Sequence, residues 1–365
     1  MTLSLTSRAR QSGAIAVLLV LTISGAGVSA ADPVPVGVGG LPRMGSEEDA
    51  KTAKELGLNF LHETTRWDEP RPGDYRWQDF TADDDPFRAR LRQLKEDGYT
   101  IAVTFKNVED DEKRMPLYLE GRPFDDTELL ARWAAFLKAF VQRYGAWIDF
   151  LNLGHQVNNY FGKHESEWPA YVKFVTAGAV TVRREEPKIS VGVVLNHTDD
   201  PGRFWRDLAP ACTHFAMTYT TPCSILKKDP TLGALNPKDP NFFAKTFDTA
   251  MRMAGNRKLL LTEVGCPTHP SLDSSPAIQA QFITALFAWL RRAEPRVAGL
   301  SWTGDKDWPY DATKDALTKM FGDQVLGLRG FIRLLTSRGL RYEDGKKKPG
   351  YDAFKTALET YRKRR

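Results

Sequence analysis

The sequence predicts a (β/α)8 barrel, and three observations carry that prediction. From Pro33 onward, short β-branched or apolar runs alternate with longer amphipathic ones. The alternation supplies eight strand candidates within a chain of 365 residues, a length that suits one barrel with insertions. No glycine-rich phosphate loop follows the first strand, which argues against an open, doubly wound sheet. In chain order the strand candidates are "PVPVGVGG", "NFLHETT", "TIAVTFKNV", "IDFLNLGHQ", "ISVGVVL", "HFAMTYT", "LLLTEVG" and "VAGLSWTG". Between the third and fourth strands, "DTELLARWAAFLKAFVQRYG" repeats Leu130, Trp133, Leu137, Phe140 and Tyr144 at helical spacing. Before the eighth, "SSPAIQAQFITALFAWLRR" offers Ser275 as an N-cap and Pro276 at the first helical position. The irregular stretch from about Asp305 to Gly350 follows strand eight, where loops shape the mouth of a barrel.

The N-terminus predicts the compartment. Arg8 and Arg10 precede "AIAVLLVLTISGAGV", and "VSAAD" supplies small residues, so cleavage is expected after Ala30 or Ala31. This divides the chain into a signal peptide over 1–30 and a single barrel over 31–365, exported to the periplasm or the medium. The apolar run is short for a membrane span, and no cysteine stands at the cleavage point to carry a lipid anchor. Losing Arg8 and Arg10 with no acidic residue takes the formal charge from +5 to +3, a balance that excludes a nucleic-acid footprint. The basic ends "DGKKKPG" and "YRKRR" read as solvated surface. The six histidines show no metal-ligand spacing, and no cofactor or metal is expected. Of three cysteines, Cys223 and Cys266 fall just past the tops of neighbouring strands and Cys212 begins a strand at the opposite end. Cys223 with Cys266 is therefore the sensible disulfide pair.

Functional side chains of such barrels sit at the C-terminal ends of strands. Those ends carry Gln156 after strand four, Tyr219 after strand six, Glu263 on strand seven and Trp302 on strand eight. Three further segments, "WDEPRPGDYRW", "LLLTEVGCPT" and "RGLRYEDGKKKPGYDAF", occur in the same order as similar motifs of the retaining barrel glycosidases. On these residues, from strand one to the final helix, the chain resembles glycoside hydrolase clan A. The resemblance implies that Glu263 is the nucleophile, that Tyr219 hydrogen-bonds it, and that Trp302 forms a platform under a sugar ring. It also implies an oligosaccharide or polysaccharide ligand, with Trp67, Trp77, Tyr160 and Trp308 as candidates for further subsites.

Strand four departs from the pattern. Clan members read Gly-Asn-Glu there, whereas this chain reads Gly154-His155-Gln156. Both the substrate-binding asparagine, here His155, and the acid/base glutamate, here Gln156, are replaced. Retaining hydrolysis uses two carboxyl groups about 5–5.5 Å apart, and an amide has no proton to give. The glutamine resembles that of the plant thioglucosidases of this clan, which hydrolyse activated thioglucosides. Two readings follow: a hydrolase of β-linked or activated glycosides with an altered acid/base position, or an inactive carbohydrate-binding pseudoglycosidase. Stand-in acids would come from His164, Glu165 or Glu167, or from Glu109, Asp110 or Asp111 after strand three. His155 is expected to face away from the side of the strand that Gln156 occupies.

Overall fold

Every predicted strand segment contains a strand in the computed structural model, which describes residues 33–42, 46–81, 84–109, 112–197, 201–220, 242–322 and 329–363. In chain order they are β1 (Val36–Val38), β2 (Phe60–Thr65) and β3 (Thr100–Phe105), then a small antiparallel hairpin of β4 (Val108–Glu109) and β5 (Glu112–Lys113). There follow β6 (Phe150–Asn152), β7 (Ser190–Gly192), β8 (Val194–Asn196), β9 (His214–Thr220), β10 (Lys258–Gly265) and β11 (Val297–Trp302). Parallel pairing gives the orders β1-β11-β10-β9-β8 and β2-β3-β6-β7. β7 and β8 are successive pieces of one segment broken at Val193, and the Asn59 N–H donates to the Val36 carbonyl at 3.0 Å. The two sheets therefore meet at both seams, and the strands close into a (β/α)8 barrel.

Alternation along the strands sorts side chains into two cores. Phe60, Ala102, Val194, Ala216, Leu260 and Ala298 fill the barrel interior, while Leu61, Val103, Leu151, Leu195, Met217 and Leu261 face the helices. Above the interior apolar layer lies a polar one. His62 Nε2 is 2.9 Å from Thr104 Oγ1, Asn152 Nδ2 donates to that same oxygen at 2.9 Å, and His214 Nε2 donates to Asn152 Oδ1 at 2.8 Å. These mutual bonds offset the cost of placing polar groups in a barrel core.

The helices cover this barrel by the means the sequence suggested. The helix Thr127–Tyr144 is capped by Asp126, which accepts from the Leu129 N–H at 3.0 Å, and it buries Leu129, Trp133, Phe136, Leu137, Phe140, Val141 and Tyr144. The predicted stripe is thus centred slightly off Leu130, which is only half-buried. Ser275 caps the helix Pro276–Ala293 by accepting from the Ile278 N–H at 3.2 Å, with Pro276 in the first turn. No described helix is long and apolar enough to cross a membrane.

Two of the motifs are structural ties. In "WDEPRPGDYRW" the buried Glu69 accepts from Trp67 Nε1 at 2.7 Å, from the Gly73 N–H at 2.6 Å and from the Arg132 guanidinium, binding the loop after β2 to the helix Thr127–Tyr144. Trp67 is thereby committed to packing on Trp133, Phe136 and Phe174, and Trp77 to packing on Tyr75 and Phe136. Neither ring belongs to a sugar subsite of the barrel mouth, because an aromatic face stacked in the core is unavailable to a ligand. The closing segment folds back over β11: Arg341 Nε donates to both oxygens of Asp305 at 2.9 and 3.1 Å, and Lys348 Nζ donates to Asp307 Oδ1 at 2.7 Å. It then enters the helix Pro349–Lys363. Cys212 and Cys266 are both buried. Cys223, like the leader over 1–30, lies outside the described residues.

Candidate active site

The C-terminal ends of the strands open onto a cleft of about 800 Å³ whose wall includes His62, Lys106, His155, Glu263, Trp308 and Arg338. Glu263 reaches it through a local irregularity. On strict alternation from Leu259 and Leu261 it would face the helices. Pairing of β10 slips by one residue against both neighbours between Leu261 and Val264, with Glu263 opposite Thr218 of β9 and Val264 opposite Trp302 of β11. This bulge turns Thr262 and Glu263 together toward the cleft and returns Val264 to the helix side.

The Glu263 side chain is 27% exposed, and its Oε1 lies 2.9 Å from His155 Nε2. An ionised carboxylate only accepts, so the imidazole Nε2–H must donate. Burial pushes the Glu263 pKa up, but His155, then His62 and Arg338, outweigh it and hold the carboxyl well below the usual carboxylate range. Burial also drives His62 down to about 4, so this imidazole is neutral near pH 7. The site therefore presents a fixed anion whose first partner is the imidazole of strand four.

Strand four supplies that partner because its regular backbone ends early. β6 stops at Asn152, and Gly154 follows where a Cβ would come 2.1 Å from Tyr171 Oη. Alternation does not extend through such a turn, so His155 faces Glu263, contrary to the expectation that it points away. Gln156 is in the left-handed region, φ 47° and ψ 38°, a conformation that costs a non-glycine residue about 1–2 kcal/mol. It stands at the N-terminus of the short helix Val157–Phe161 without a side-chain capping bond, and its Oε1 accepts from Asn159 Nδ2 at 3.3 Å. Gln156 is absent from the described wall of the cleft. The side chain at position 156 is thus engaged with Asn159 and not with the described cleft wall.

Several other implied roles need correction. Tyr219 pairs in register with Val264 on the helix-facing side, is fully buried against Phe247, Phe282 and His197, and its hydroxyl has no hydrogen-bond partner among the described residues. It does not orient Glu263. Trp302 borders the cleft, but its ring is 0% exposed between Phe282 and Phe354, and its Nε1 donates to the Arg338 carbonyl at 3.0 Å. No sugar can stack on it. Tyr160 stacks on His164 and donates to Glu167 Oε1 at 3.1 Å, Glu167 also holds Lys113, and Glu165 pairs with Arg203, so this group is engaged outside the cleft. Glu109 lies on the hairpin strand β4, and Asp110 and Asp111 fall outside the described residues. The aromatic ring at the mouth is Trp308, 52% exposed.

Sequence reasoning passed over His62 and Arg338. His62 was findable, since Phe60, His62 and Thr64 alternate along β2 and a histidine on the interior face of a strand end is unusual. Arg338 had no local signal, because a loop from the far end of the chain carries it into the site. Removing the imidazole provides a test of the pair. In His155→Ala the largest partner opposing burial is lost while His62 and Arg338 remain, so the Glu263 pKa should rise and Glu263-dependent covalent labelling, followed from about pH 7 to 4, should fall off at a higher pH than in the wild type. Adduct formation followed by mass spectrometry across that range checks this, and matching profiles would contradict it.

The closed barrel, with a bulge-presented glutamate in a polar cleft at its C-terminal face, has the fold of the clan A glycoside hydrolases. No family model matches the chain, and no curated protein matches it. Among solved structures it is similar to an exo-β-1,4-mannosidase from Opitutaceae bacterium strain TAV5, at 16% identity and TM-score 0.64, covering 91% of this chain and 60% of that one. A GH5_18 protein from Streptomyces cattleya in complex with Manβ1-4GlcNAc matches at 17% identity and TM-score 0.66, over 92% and 82% of the two chains. Xylanase 10B from Thermotoga maritima matches at 15% identity and TM-score 0.60, over 91% and 97%. The chain thus spans less than two thirds of the mannosidase's length.

Proposed function

We propose that the protein is an exported glycoside-hydrolase-like barrel that binds a β-linked saccharide in this cleft and cleaves, through Glu263, glycosides with a good leaving group. The observation that carries this reading is the Glu263 carboxylate, turned into the cleft by the bulge and held ionised by His155. Its oxygen would attack the anomeric carbon while the leaving group departs with the bonding electron pair. No described carboxyl group of the cleft stands at the strand-four position of a general acid. Among the described residues of the cleft wall, Glu63 is bound to Arg90 at 3.0 Å, Asp305 to Arg341 and Asp307 to Lys348, while Glu343 is exposed at the rim. Unactivated glycosides would therefore forgo the 10²–10⁴-fold or so that general acid–base catalysis contributes. Trp308 offers an exposed face to a sugar ring at the mouth.

The second reading, a carbohydrate-binding pseudoglycosidase, is favoured by Gln156, which stands where strand four would carry the acid/base carboxyl group and engages Asn159 instead of the cleft. Intact-mass spectrometry of the mature protein incubated with 2-deoxy-2-fluoro glycosyl fluorides separates the two. Fluoride leaves without protonation, so a live nucleophile gives a single adduct on Glu263. A folded protein unlabelled across a broad panel would leave the binding role.

A further inference from the structure

The cleft holds a second feature besides Glu263. At the end of β10, Gly265 leaves room that a side chain would fill: a Cβ there would come 2.8 Å from Thr303 Oγ1 and 3.3 Å from Arg338 Cδ. Thr303 and Arg338 therefore converge over the bare backbone, and both line the cleft. Arg338 is held in place from behind. Its carbonyl accepts from Trp302 Nε1 at 3.0 Å, Gln279 Nε2 donates to the next carbonyl, that of Gly339, at 3.2 Å, and the Thr268 N–H donates to the Ser337 carbonyl at 2.9 Å.

Two donors of this notch are unspent among the described residues. Arg338 Nε and Thr303 Oγ1 are buried with no hydrogen-bond partner there, and no described residue forms an ion pair with the guanidinium. A buried cation left in that condition is costly, and an anion that brings its own acceptors removes the cost. Glu263 lies near enough to interact electrostatically with Arg338, yet its Oε1 is already bound to His155. Among the other charged groups of the wall, Arg90 pairs with Glu63, Asp305 with Arg341, Asp307 with Lys348 and Lys306 with Glu48, so the notch is a place where an incoming negative charge meets preset donors.

On the reading that the cleft binds a saccharide, we infer that Arg338 and Thr303 receive the carboxylate of a uronic-acid residue, making this a site for acidic rather than neutral glycans. The planar guanidinium matches a carboxylate in two parallel hydrogen bonds, and the threonine hydroxyl adds a third donor. A neutral hydroxymethyl group in the same place would leave the guanidinium charge unmatched.

The test is isothermal titration of the mature protein with matched β-linked disaccharides that differ only in glucose against glucuronate, with a sulfated counterpart as a third ligand. The glucuronate form should bind at least about tenfold tighter than the neutral one, and Arg338→Gln should remove that margin while neutral binding persists. Thr303→Val, a smaller change, should narrow the margin if the arginine variant does not fold. Equal binding of the neutral and uronate ligands would overturn the acidic-glycan assignment and leave the saccharide cleft standing. Failure of all three to bind a folded protein would overturn both. A sulfated ligand binding as tightly as the uronate would replace carboxylate recognition by general oxyanion recognition.

Discussion

Replacing Glu263 by Gln is expected to abolish turnover of activated glycosides, by at least about 10³-fold, whereas Gln156→Glu should change hydrolysis of unactivated glycosides by less than about tenfold. The first expectation rests on the chemistry of the nucleophile: an amide is nearly isosteric with the carboxylate but cannot attack the anomeric carbon. The second runs against a simple reversal of the strand-four substitution. In a site of unaltered geometry, restoring a carboxyl group would recover most of the acid–base contribution. Here residue 156 is left-handed, stands at the N-terminus of the helix Val157–Phe161, and engages Asn159 rather than the cleft. A glutamate in that conformation would accept the same Asn159 hydrogen bond and remain outside the reaction. Initial rates on aryl glycosides of graded leaving-group pKa, measured for both variants and wild type, give the answer. A large gain from Gln156→Glu would show that the side chain swings into the cleft, and near-normal turnover in Glu263→Gln would remove Glu263 as the nucleophile.

Acid lability is the second large effect. Burial lowers His214 to about 3 and His62 to about 4, against an ordinary value near 6.5. For His62 the Glu263 charge and the Thr262 carbonyl oppose that shift, while His155 and Lys106 add to it. Between the folded and unfolded values the unfolded chain binds protons that the native barrel does not. Stability is therefore complete above about pH 6.5 and falls as pH drops toward 4, by on the order of 2 kcal/mol per histidine at pH 5. Glu263 acts in the same direction but lower down, since its depressed pKa contributes stability that is lost only below the ordinary carboxylate range. Urea denaturation at pH 7 and pH 5 measures the sum. His214→Gln should flatten the dependence, because a neutral amide can still bond Asn152 and no longer titrates. Equal stability at the two pH values would show that these imidazoles protonate in place.

The sequence by itself determined the barrel. Strand and helix periods are local properties of the chain: β2, β9, β10 and β11 appear where β-branched and apolar runs predict them, and Asp126 and Ser275 cap their helices through their own side chains and the following N–H groups. It also determined that Glu263 would lie toward the end of strand seven and that strand four is followed by glutamine, not glutamate, at position 156. Which way the neighbouring side chains face was a tertiary decision. A bulge in β10 turns Glu263 inward, and an early end to β6 brings His155 to it while sending Gln156 away. Tyr219 and Trp302, assigned to the site by resemblance, lie on the helix-facing parity of their strands and pack in the core. Arg338 enters from a loop 75 positions beyond Glu263. The physical reason is common to all of these: a one-residue shift in pairing or an interrupted strand exchanges the two faces of a sheet, and such shifts are set by neighbouring strands and covering helices, not by the residues they reorient.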